Sequence, residues 1–352
     1  DNIAGVAETY YRLDDGEYKR YRPETNIPFQ QLDDGDHTLT FYSVDNVDNK
    51  EEEESFDFYL DKTAPIMSAD VLGDKFVVGD EVYFSGRTKL KLTAVDNKAG
   101  IKEVYYAVDG RDFQKYEDPF YLPSVAGEHV IRYYALDEME NRGAGNEGYA
   151  YDEYRHNVSK VYVDLTGPVM SFEYLGEQFL KGDTIYINGE TQIKLAAEDP
   201  ESGLQYISYQ LDGDGGENKY DQPFLIPESG THEVEYFGYD NVNNRNVDEF
   251  VMVVDNTPPE VEAKFSVQPD PSQATGDGLP VYPSYVTIYL SATDELTGAE
   301  EIRYSLNDGP EKTYSDPIAN LKKGLAFKLR ITSTDKLGNE QEQIIEFRTT
   351  EY

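Results

Sequence analysis

One spaced motif recurs four times along this chain of 352 residues, and it limits the fold to a tandem array. In each copy an Asp is followed by Gly at +4, Tyr at +10 and Asp or Asn at +13. The copies are Asp1, Gly5, Tyr11, Asp14; Asp96, Gly100, Tyr106, Asp109; Asp199, Gly203, Tyr209, Asp212; and Asp294, Gly298, Tyr304, Asn307. Successive copies begin 95, 103 and 95 residues apart, the length of a small domain rather than of a solenoid repeat. The spacing predicts four domains.

A second motif, an Asp with Asn at +4, begins 41 to 44 residues after each first motif. Its copies are Asp45 with Asn49, Asp137 with Asn141, Asp240 with Asn244, and Asp335 with Asn339. Short linkers of the form Asp-x-Thr-x-Pro lie between the repeats, at 61–65, 164–168 and 255–259. Proline fixes φ and lacks a backbone donor, so each linker interrupts a strand and marks a domain change.

The linkers predict domains at 1–61, 62–164, 165–255 and 256–352. From each linker Thr to the next first motif run 33 to 37 residues, but the chain begins on the motif itself. We therefore expect the first domain to lack its N-terminal strands, and the chain to be a fragment whose neighbouring domains belong to a longer parent chain.

The local pattern predicts strands and very little helix. Segments such as 89–95 and 130–136 are rich in β-branched and aromatic residues, and several alternate apolar with polar side chains. In the second domain strands are predicted near 66–71, 75–84, 88–95, 101–108, 120–122, 128–136 and 158–163. About seven short strands in about 100 residues is typical of an antiparallel sandwich of the immunoglobulin type.

Composition excludes several classes of function. The 69 acidic and 31 basic residues give a net charge of −38, which repels phosphate backbones and anionic membranes and argues against nucleic-acid binding. The absence of Cys excludes disulfides, thiolate metal sites and Cys nucleophiles. The sequence contains no apolar run of 18 residues, so no membrane span is predicted in it.

The order of short motifs in the second domain resembles a known family. Tyr106-Ala-Val-Asp-Gly110 is followed by Lys115-Tyr-x-x-Pro-Phe120, Gly127-x-His129, the second motif and the linker. This order resembles the bacterial immunoglobulin-like surface repeats of adhesins, outer-membrane-associated proteins and secreted multidomain hydrolases, over essentially the whole chain. The resemblance implies an all-β fold, a tandem array of four Ig-like antiparallel β-sandwich domains, the first truncated, at the bacterial cell surface or outside the cell.

The repeated Asp residues are the first candidate site. In an Ig-like sandwich the first motif forms the B–C loop and the second forms the F–G loop, and both emerge beside the incoming linker. Three acids are therefore expected to meet at each junction. The sets are Asp61 with Asp96 and Asp137, Asp164 with Asp199 and Asp240, and Asp255 with Asp294 and Asp335.

Two interpretations of these sets stay open. The Asp residues could close their loops by accepting backbone N–H bonds, while Asn or Gly takes the left-handed conformation that the turn requires. Alternatively, the carboxylates could bind Ca²⁺, a hard cation that prefers oxygen ligands and would offset their mutual repulsion. No other cofactor is predicted.

The histidines fit a structural role better than a chemical one. His37, His129 and His232 each lie eight residues before the second-motif Asp, and Phe327 holds that place in the fourth domain. A ligand or general base could not be exchanged for Phe, so this is interpreted as a packing or hairpin position.

The second candidate site is an unrepeated loop in the second domain. Segment 143–157 lengthens the F–G connection and is Gly-rich and aromatic. Its candidate ligand-binding residues are Tyr149, Tyr151, Tyr154, Arg155 and His156. Such a loop is where an Ig-like module would bind a glycan or a surface protein, but it could equally pack against a neighbouring domain.

The sequence predicts a protein that is not an enzyme, since no unrepeated set of nucleophile, base and orienting group is found. The preferred function is a stalk or adhesion module. The alternative is a ligand-binding accessory region of a larger secreted protein, such as a hydrolase.

Overall fold

The computed structural model describes residues 3–143, 157–273, 276 and 278–350. The chain forms two compact units, Asp1–Leu165 and Thr166–Tyr352. In the described residues helix is confined to two 3-10 turns, Phe29–Gln31 and Pro271–Gln273. The predicted all-β tandem Ig-like fold is confirmed.

Module 1, in the first unit, is a single antiparallel sheet in the order β2-β1-β3-β4. Its strands are β1 (Val6–Leu13), β2 (Lys19–Arg20), β3 (Gly35–Asp45) and β4 (Glu54–Leu60). The described residues of this module contribute no second sheet.

Module 2 completes the first unit and is a sandwich of two sheets. Its strands are β5 (Ile66–Leu72), β6 (Lys75–Val78), β7 (Glu81–Ser85), β8 (Lys89–Val95), β9 (Ile101–Val108), β10 (Gln114–Lys115), β11 (Phe120–Tyr121), β12 (Gly127–Asp137), β13 (Arg142–Gly143) and β14 (Asn157–Asp164). Sheet β11-β8-β5 packs on sheet β10-β9-β12-β14-β7-β6, and β13 pairs with β12. The two sheets match the A-B-E and C-F-G strands of an immunoglobulin sandwich.

The strand predicted over 75–84 is two strands. Residues 75–78 and 81–85 form the β6–β7 hairpin, in which Val78 pairs with Glu81. Gly79 turns the chain at φ +59°, a conformation open to glycine because it has no Cβ. Both strands of the hairpin lie in the larger sheet, where β7 pairs in parallel with β14.

The second unit contains modules 3 and 4, which repeat this plan. Module 3 has β15 (Val169–Leu175), β16 (Gln178–Lys181), β17 (Thr184–Ile187), β18 (Gln192–Glu198), β19 (Leu204–Leu211), β20 (Asp214–Tyr220), β21 (Gly230–Asp240) and β22 (Arg245–Val254). Module 4 has β23 (Glu260–Phe265), β24 (Val281–Tyr282), β25 (Ile288–Thr293), β26 (Ala299–Leu306), β27 (Lys312–Thr313), β28 (Ala326–Asp335) and β29 (Glu340–Thr349).

Two sheets form each sandwich of the second unit. In module 3, β15-β18 packs on β16-β17-β22-β21-β19-β20. In module 4, β23-β25 packs on β24-β29-β28-β26-β27. One pairing in each sandwich is parallel, β17 with β22 and β24 with β29. The domain boundaries proposed from the linkers stay predictions.

The central strand of each sandwich shows why these sequences form strands and where the candidate site begins. Along β12 the side chains at alternate positions are buried: His129, Ile131, Tyr133, Ala135 and Asp137. This period of two places one face of the strand against the opposing sheet. The inward row therefore ends on a carboxylate, and Asp137 is 0% exposed.

The cost of losing core volume should differ between equivalent positions of modules 2 and 1. Ile131→Ala is expected to destabilise module 2 by about 2–5 kcal/mol, because it leaves a cavity among buried side chains. Leu39 holds the same position in module 1 but is only half-buried, so Leu39→Ala should cost less. Hydrogen exchange of β12 and β3 amides in the full chain measures both changes locally. Equal losses would contradict the sandwich description of module 2.

Candidate metal centre

The first predicted Asp set comes together within the first unit. Asp61 follows β4, Asp96 follows β8 and Asp137 ends β12. One carboxylate oxygen of each residue lies within 4.8 Å of the others. Asp61 and Asp137 are buried, and Asp96 is half-buried. Three acidic groups are thus gathered from one linker and two loops.

The F–G loop is closed by its Asp, and its Asn also binds the linker. Asp137 Oδ1 accepts hydrogen bonds from the backbone N–H groups of Met139 and Asn141, both at 2.8 Å. The Asn141 side-chain amide donates to Asp137 Oδ2 at 2.8 Å and to the Asp61 carbonyl at 3.0 Å. Because one amide has two N–H donors, a single side chain satisfies the buried carboxylate and holds the linker.

The same bridge recurs in the second unit. In module 4 the Asn339 amide donates to Asp335 Oδ2 and to the Asp255 carbonyl, both at 2.8 Å. In module 3 the Asn244 amide donates to Asp240 Oδ2 at 2.8 Å and to the Thr166 carbonyl at 3.3 Å. The Asn of the second motif is therefore a linker contact, a role that its spacing alone did not indicate.

The loop-closure interpretation expected the Asn of the F–G motif to take the left-handed conformation. In the structure another residue takes it. It is the residue before the Asn: Asp48, Glu140, Asn243 or Gly338, with φ of 61° to 80°. The expectation is correct for the B–C loop, where Gly100 has φ +85°. The Asn is needed for its side-chain donors, which the turn conformation does not reveal.

The B–C loop presents a carboxylate with one oxygen satisfied. Asp96 Oδ2 accepts from the backbone N–H groups of Lys98 at 3.0 Å and Gly100 at 2.8 Å. Burial opposes the charge of Asp96, but the backbone N–H donors of its loop outweigh it and hold the pKa of Asp96 below its usual value. Asp96 Oδ1 is buried and has no hydrogen-bond partner among the described residues. This oxygen keeps its lone pairs available.

The third Asp set comes together within the second unit. Asp255, Asp294 and Asp335 each place a carboxylate oxygen within 4.8 Å of the others. The Thr297 hydroxyl lies 3.3 Å from Asp255 Oδ2, 3.3 Å from Asp294 Oδ1 and 3.1 Å from Asp335 Oδ2. Burial raises the pKa of Asp255, and the charges of Asp294 and Asp335 raise that pKa further. The charges gathered in this set therefore oppose the ionised form of Asp255.

The remaining set is divided between the two compact units. Asp164 ends β14 in the first unit, whereas Asp199 and Asp240 lie in the second. Asp199 Oδ1 accepts from the backbone N–H groups of Glu201 and Gly203, so its loop closes as the other B–C loops do. The convergence of this set stays a prediction. The ligand-binding candidates Tyr149, Tyr151, Tyr154, Arg155 and His156 lie outside the described residues.

The repeated histidines hold a hairpin corner, as their exchange with Phe suggested. In module 2 His129 Nδ1 lies 2.7 Å from Asp109 Oδ2, and Nε2 lies 2.7 Å from the Val125 carbonyl oxygen. Both ring nitrogens face acceptors, which favours the doubly protonated imidazolium. The same pairs are His37 with Asp14 and the Asp33 carbonyl, and His232 with Asp212 and the Glu228 carbonyl.

A cation over an aromatic ring follows the second motif in three modules, a contact that the motif spacing did not indicate. Lys50 Nζ lies 3.8 Å from the Tyr42 ring centroid. The Arg142 guanidinium lies 3.7 Å from the Tyr134 centroid, and that of Arg245 lies 4.3 Å from the Phe237 centroid. Each cation directly follows the Asn of the motif, so the available signal was a basic residue at one repeated position. These contacts help to hold the loop on its sheet.

No family model and no curated protein matches the sequence. Solved structures similar to the chain include fibronectin(III)-like modules of CbhA from Clostridium thermocellum, with 14% identity, 54% of this chain and 94% of that chain covered, and a TM-score of 0.30. A structure of a 1.5-MDa bacterial ice-binding adhesin is 11% identical, and the match covers 82% of this chain and 99% of that chain with a TM-score of 0.36. A tetra-tandem repeat from the extending region of a large adhesion protein is 12% identical, and the match covers 98% of this chain and 92% of that chain with a TM-score of 0.34.

The structural neighbours thus include adhesin repeats and fibronectin-like modules. All three TM-scores are below 0.5, so the fold assignment rests on the strand pairing described above. In the described part of the chain, no helix is long and apolar enough to cross a bilayer.

The Asn339 side chain joins the F–G loop of module 4 to the linker. Its removal should destabilise module 4 more than removal of the equivalent Asn49 side chain destabilises module 1. Asn339→Ala deprives the buried Asp335 carboxylate and the Asp255 carbonyl of a donor, at a cost of about 1–3 kcal/mol. Asn49 is exposed and its side chain bonds Asp45, so Asn49→Ala is the matched control with a smaller cost. Differential scanning calorimetry of the full chain measures both. A larger effect at Asn49 would contradict the role of the bridge.

The hydrogen bonds of His37 and His129 should make the stability of modules 1 and 2 depend on pH. Hydrogen bonds to the Asp14 carboxylate and the Asp33 carbonyl raise the pKa of His37. Burial opposes the charge of His129, but the hydrogen bonds to the Val125 carbonyl and the Asp109 carboxylate outweigh burial and raise the pKa of His129 as well. Their stabilisation is complete below the unfolded pKa of about 6.5 and is lost as pH rises through the folded pKa. NMR titration should place the His129 midpoint above about 6.5, and His129→Phe should remove this pH dependence from module 2. A midpoint below that value would contradict the double hydrogen bond.

Proposed function

We propose that the chain is a non-catalytic Ig-like repeat array that serves as an elongated stalk or adhesion module of a bacterial surface or secreted protein, with Ca²⁺ bound at its joints. The observation that carries this proposal is the gathering of a linker carboxylate with two loop carboxylates, at Asp61, Asp96 and Asp137 and again in module 4. A cation bound there would join the linker to the module that follows it.

The charge of these sets supports a hard cation. Three carboxylates with oxygens within 4.8 Å repel one another, and burial of two of them reduces the screening by water. Ca²⁺ binds six to eight oxygens at about 2.3–2.6 Å and accepts carboxylates, carbonyls and water together. The unpartnered Asp96 Oδ1 offers such a ligand atom in the first unit.

The third set supports the same ion by its hydrogen-bond arithmetic. The Thr297 hydroxyl has one proton and can donate to only one of the three carboxylate oxygens near it. Asp294 Oδ1 also accepts from the backbone N–H groups of Thr297 and Gly298, and Asp335 Oδ2 accepts from the Asn339 amide, so among the described residues Asp255 Oδ2 is the oxygen that relies on this hydroxyl. A cation among Asp255, Asp294 and Asp335 would offset the mutual repulsion of the three carboxylates and would favour the ionised form of Asp255.

The joints of the proposed stalk have protein contacts that an ion would reinforce. The Asp61 carboxylate accepts from the Ala99 N–H at 2.9 Å, so the linker is held by the B–C loop as well as by Asn141. At the joint of module 4, the Asn188 amide of module 3 donates to the Leu337 carbonyl at 2.8 Å. Leu337 itself is fully buried. Fixed joints would turn a row of small domains into a spacer.

A stalk function would depend on length. A strand of eight residues spans about 27 Å, so four modules placed end to end would extend on the order of 100 Å. The net charge of −38 would keep this surface solvated and resist non-specific association. No catalytic group is needed for this role.

Calcium should stabilise the full chain through the Asp sets. At a concentration of about 100 times the dissociation constant, a bound ion adds about 2.7 kcal/mol to the module that holds it. Calorimetry with CaCl₂ and then with excess EDTA should show this shift, and Asp96→Asn with Asp294→Asn should reduce it. Asp45→Asn is the matched control, because Asp45 closes its loop outside any of the three-carboxylate sets. Transitions that EDTA leaves unmoved would rule out the calcium joints.

The stalk itself has a separate test. Small-angle X-ray scattering of the full chain should give a maximum dimension of about 100 Å or more. A compact scattering profile would refute the stalk, whatever the calorimetry shows. Calcium-independent extension would retain the stalk and remove the ion from its mechanism.

A further inference from the structure

Module 4 has a cleft whose lining differs in chemistry from that of the equivalent clefts in modules 2 and 3. Its volume is about 630 Å³, which is within the range of small-molecule sites. It lies beside the edge strand β27, between the end of β26 and the chain that leads into β28. Tyr304 of the first motif lines it, as Tyr106 and Tyr209 line the clefts of modules 2 and 3. The three clefts therefore occupy the same place in the repeat.

The lining of the module 4 cleft carries more positive than negative charge. Lys312 and Lys322 line it together with one carboxylate, Asp316. Both lysines are exposed, and the ion pairs described in module 4 include neither of them. The segment 317–334 contains four basic and no acidic residues. On a chain with a net charge of −38, these groups make the cleft locally attractive to an anion.

The equivalent clefts carry balanced charge. In module 2 the charged lining residues are Arg111 and Asp112. In module 3 they are Lys219 and Asp221, whose charged atoms lie 3.5 Å apart. The excess of lysine is therefore a property of module 4 and not of the repeat position.

Two further lining residues of this cleft depart from the repeat. Asn307 stands where modules 1 to 3 have the Asp of the first motif, and Phe327 stands where they have His. Asn307 Oδ1 accepts from the Lys328 backbone N–H at 2.7 Å, and the Asn307 amide donates to the Ala326 carbonyl at 3.2 Å. The turn is thus still closed, but a neutral amide and an apolar ring replace the carboxylate and imidazole of the hairpin corner.

We propose that the module 4 cleft binds a saccharide that carries a carboxylate, of the uronic acid class. The ammonium groups of Lys312 and Lys322 would bind the carboxylate by charge-assisted hydrogen bonds. Asp316 would accept hydrogen bonds from sugar hydroxyls, since a carboxylate has only acceptor atoms. Two lysines and one acid therefore match a ligand that has one negative charge and many hydroxyl groups.

The neutral lining residues suit the rest of a sugar ring. The amides of Asn307 and Asn320 each offer both donors and an acceptor, which hydroxyl groups require. Tyr304 and Phe327 give the cleft an apolar wall for the C–H groups of the ring. A few polar groups beside an aromatic wall are typical of a small-ligand site.

A phosphate group fits this cleft less well than a carboxylate does. A phosphate monoester carries a charge of about −1.5 to −2 near neutral pH, so Asp316 would oppose it more strongly. No arginine is among the described lining residues, so the bidentate geometry that favours phosphate is not offered here. A carboxylate sugar would give module 4 an adhesive role whether or not the joints bind Ca²⁺.

Titration of the full chain with trigalacturonate tests the proposal. The titration is followed by amide chemical shifts in NMR spectra, in buffer with EDTA so that calcium cannot bridge sugar and protein. Shifts are expected in residues 304–328 of module 4. Lys312→Gln with Lys322→Gln should weaken binding roughly tenfold or more, because hydrogen bonds to charged groups are lost. Both side chains are exposed, and unchanged shifts elsewhere in the spectrum would show that the variant is folded.

Two controls separate this site from general attraction of a sugar or an anion. Lys219→Gln removes the lining lysine of the module 3 cleft and should leave trigalacturonate binding unchanged. The fully methyl-esterified trisaccharide keeps the sugar rings without the charge and should bind more weakly. Equal binding of the ester, equal binding by the double lysine variant, or no shifts in residues 304–328 would overturn the proposal. Inorganic phosphate that binds as tightly as trigalacturonate would also overturn it, because the cleft would then be a general anion site.

Discussion

Each second motif depends on satisfying a carboxylate at the end of a central strand. The inward rows of β12, β21 and β28 end on Asp137, Asp240 and Asp335, all 0% exposed. A buried carboxylate is costly unless hydrogen bonds replace its water. The F–G loop supplies these bonds from its backbone and from the Asn side chain. Because the same amide also binds the linker, satisfying the core fixes the path of the chain between modules.

This coupling explains why one motif serves both folding and assembly. The Asn amide has two donors, and each joint uses one for the carboxylate and one for a linker carbonyl. The linker Asp then brings its own charge to the two loop carboxylates. A cation at that place would act on contacts that already exist. The proposed stiffening therefore needs no rearrangement of the loops, only neutralisation of their charge.

Differences between modules follow from what covers each sheet. In modules 2 to 4 the opposing sheet makes the inward row a core, and the E segment pairs with strand B. In the described residues of module 1, which form one sheet, similar residues are only half-buried, and Phe29 enters a 3-10 turn instead of a strand. The same Pro-Phe dipeptide thus takes two conformations. The partner strand decides between them, since a strand is stable only when its backbone groups are paired.

The sequence by itself determined the repeat, the all-β class, most strands and the grouping of two of the three Asp sets, because a repeated offset and the loop positions of an Ig-like sandwich suffice for these. It did not reveal the β6–β7 hairpin, the second donor of Asn141, the Asp109 partner of His129 or the stacking of Arg142 on Tyr134. Each depends on which residues face one another across strands or joints. Pairing register and the approach of the linker decide that, and neither is encoded in local spacing.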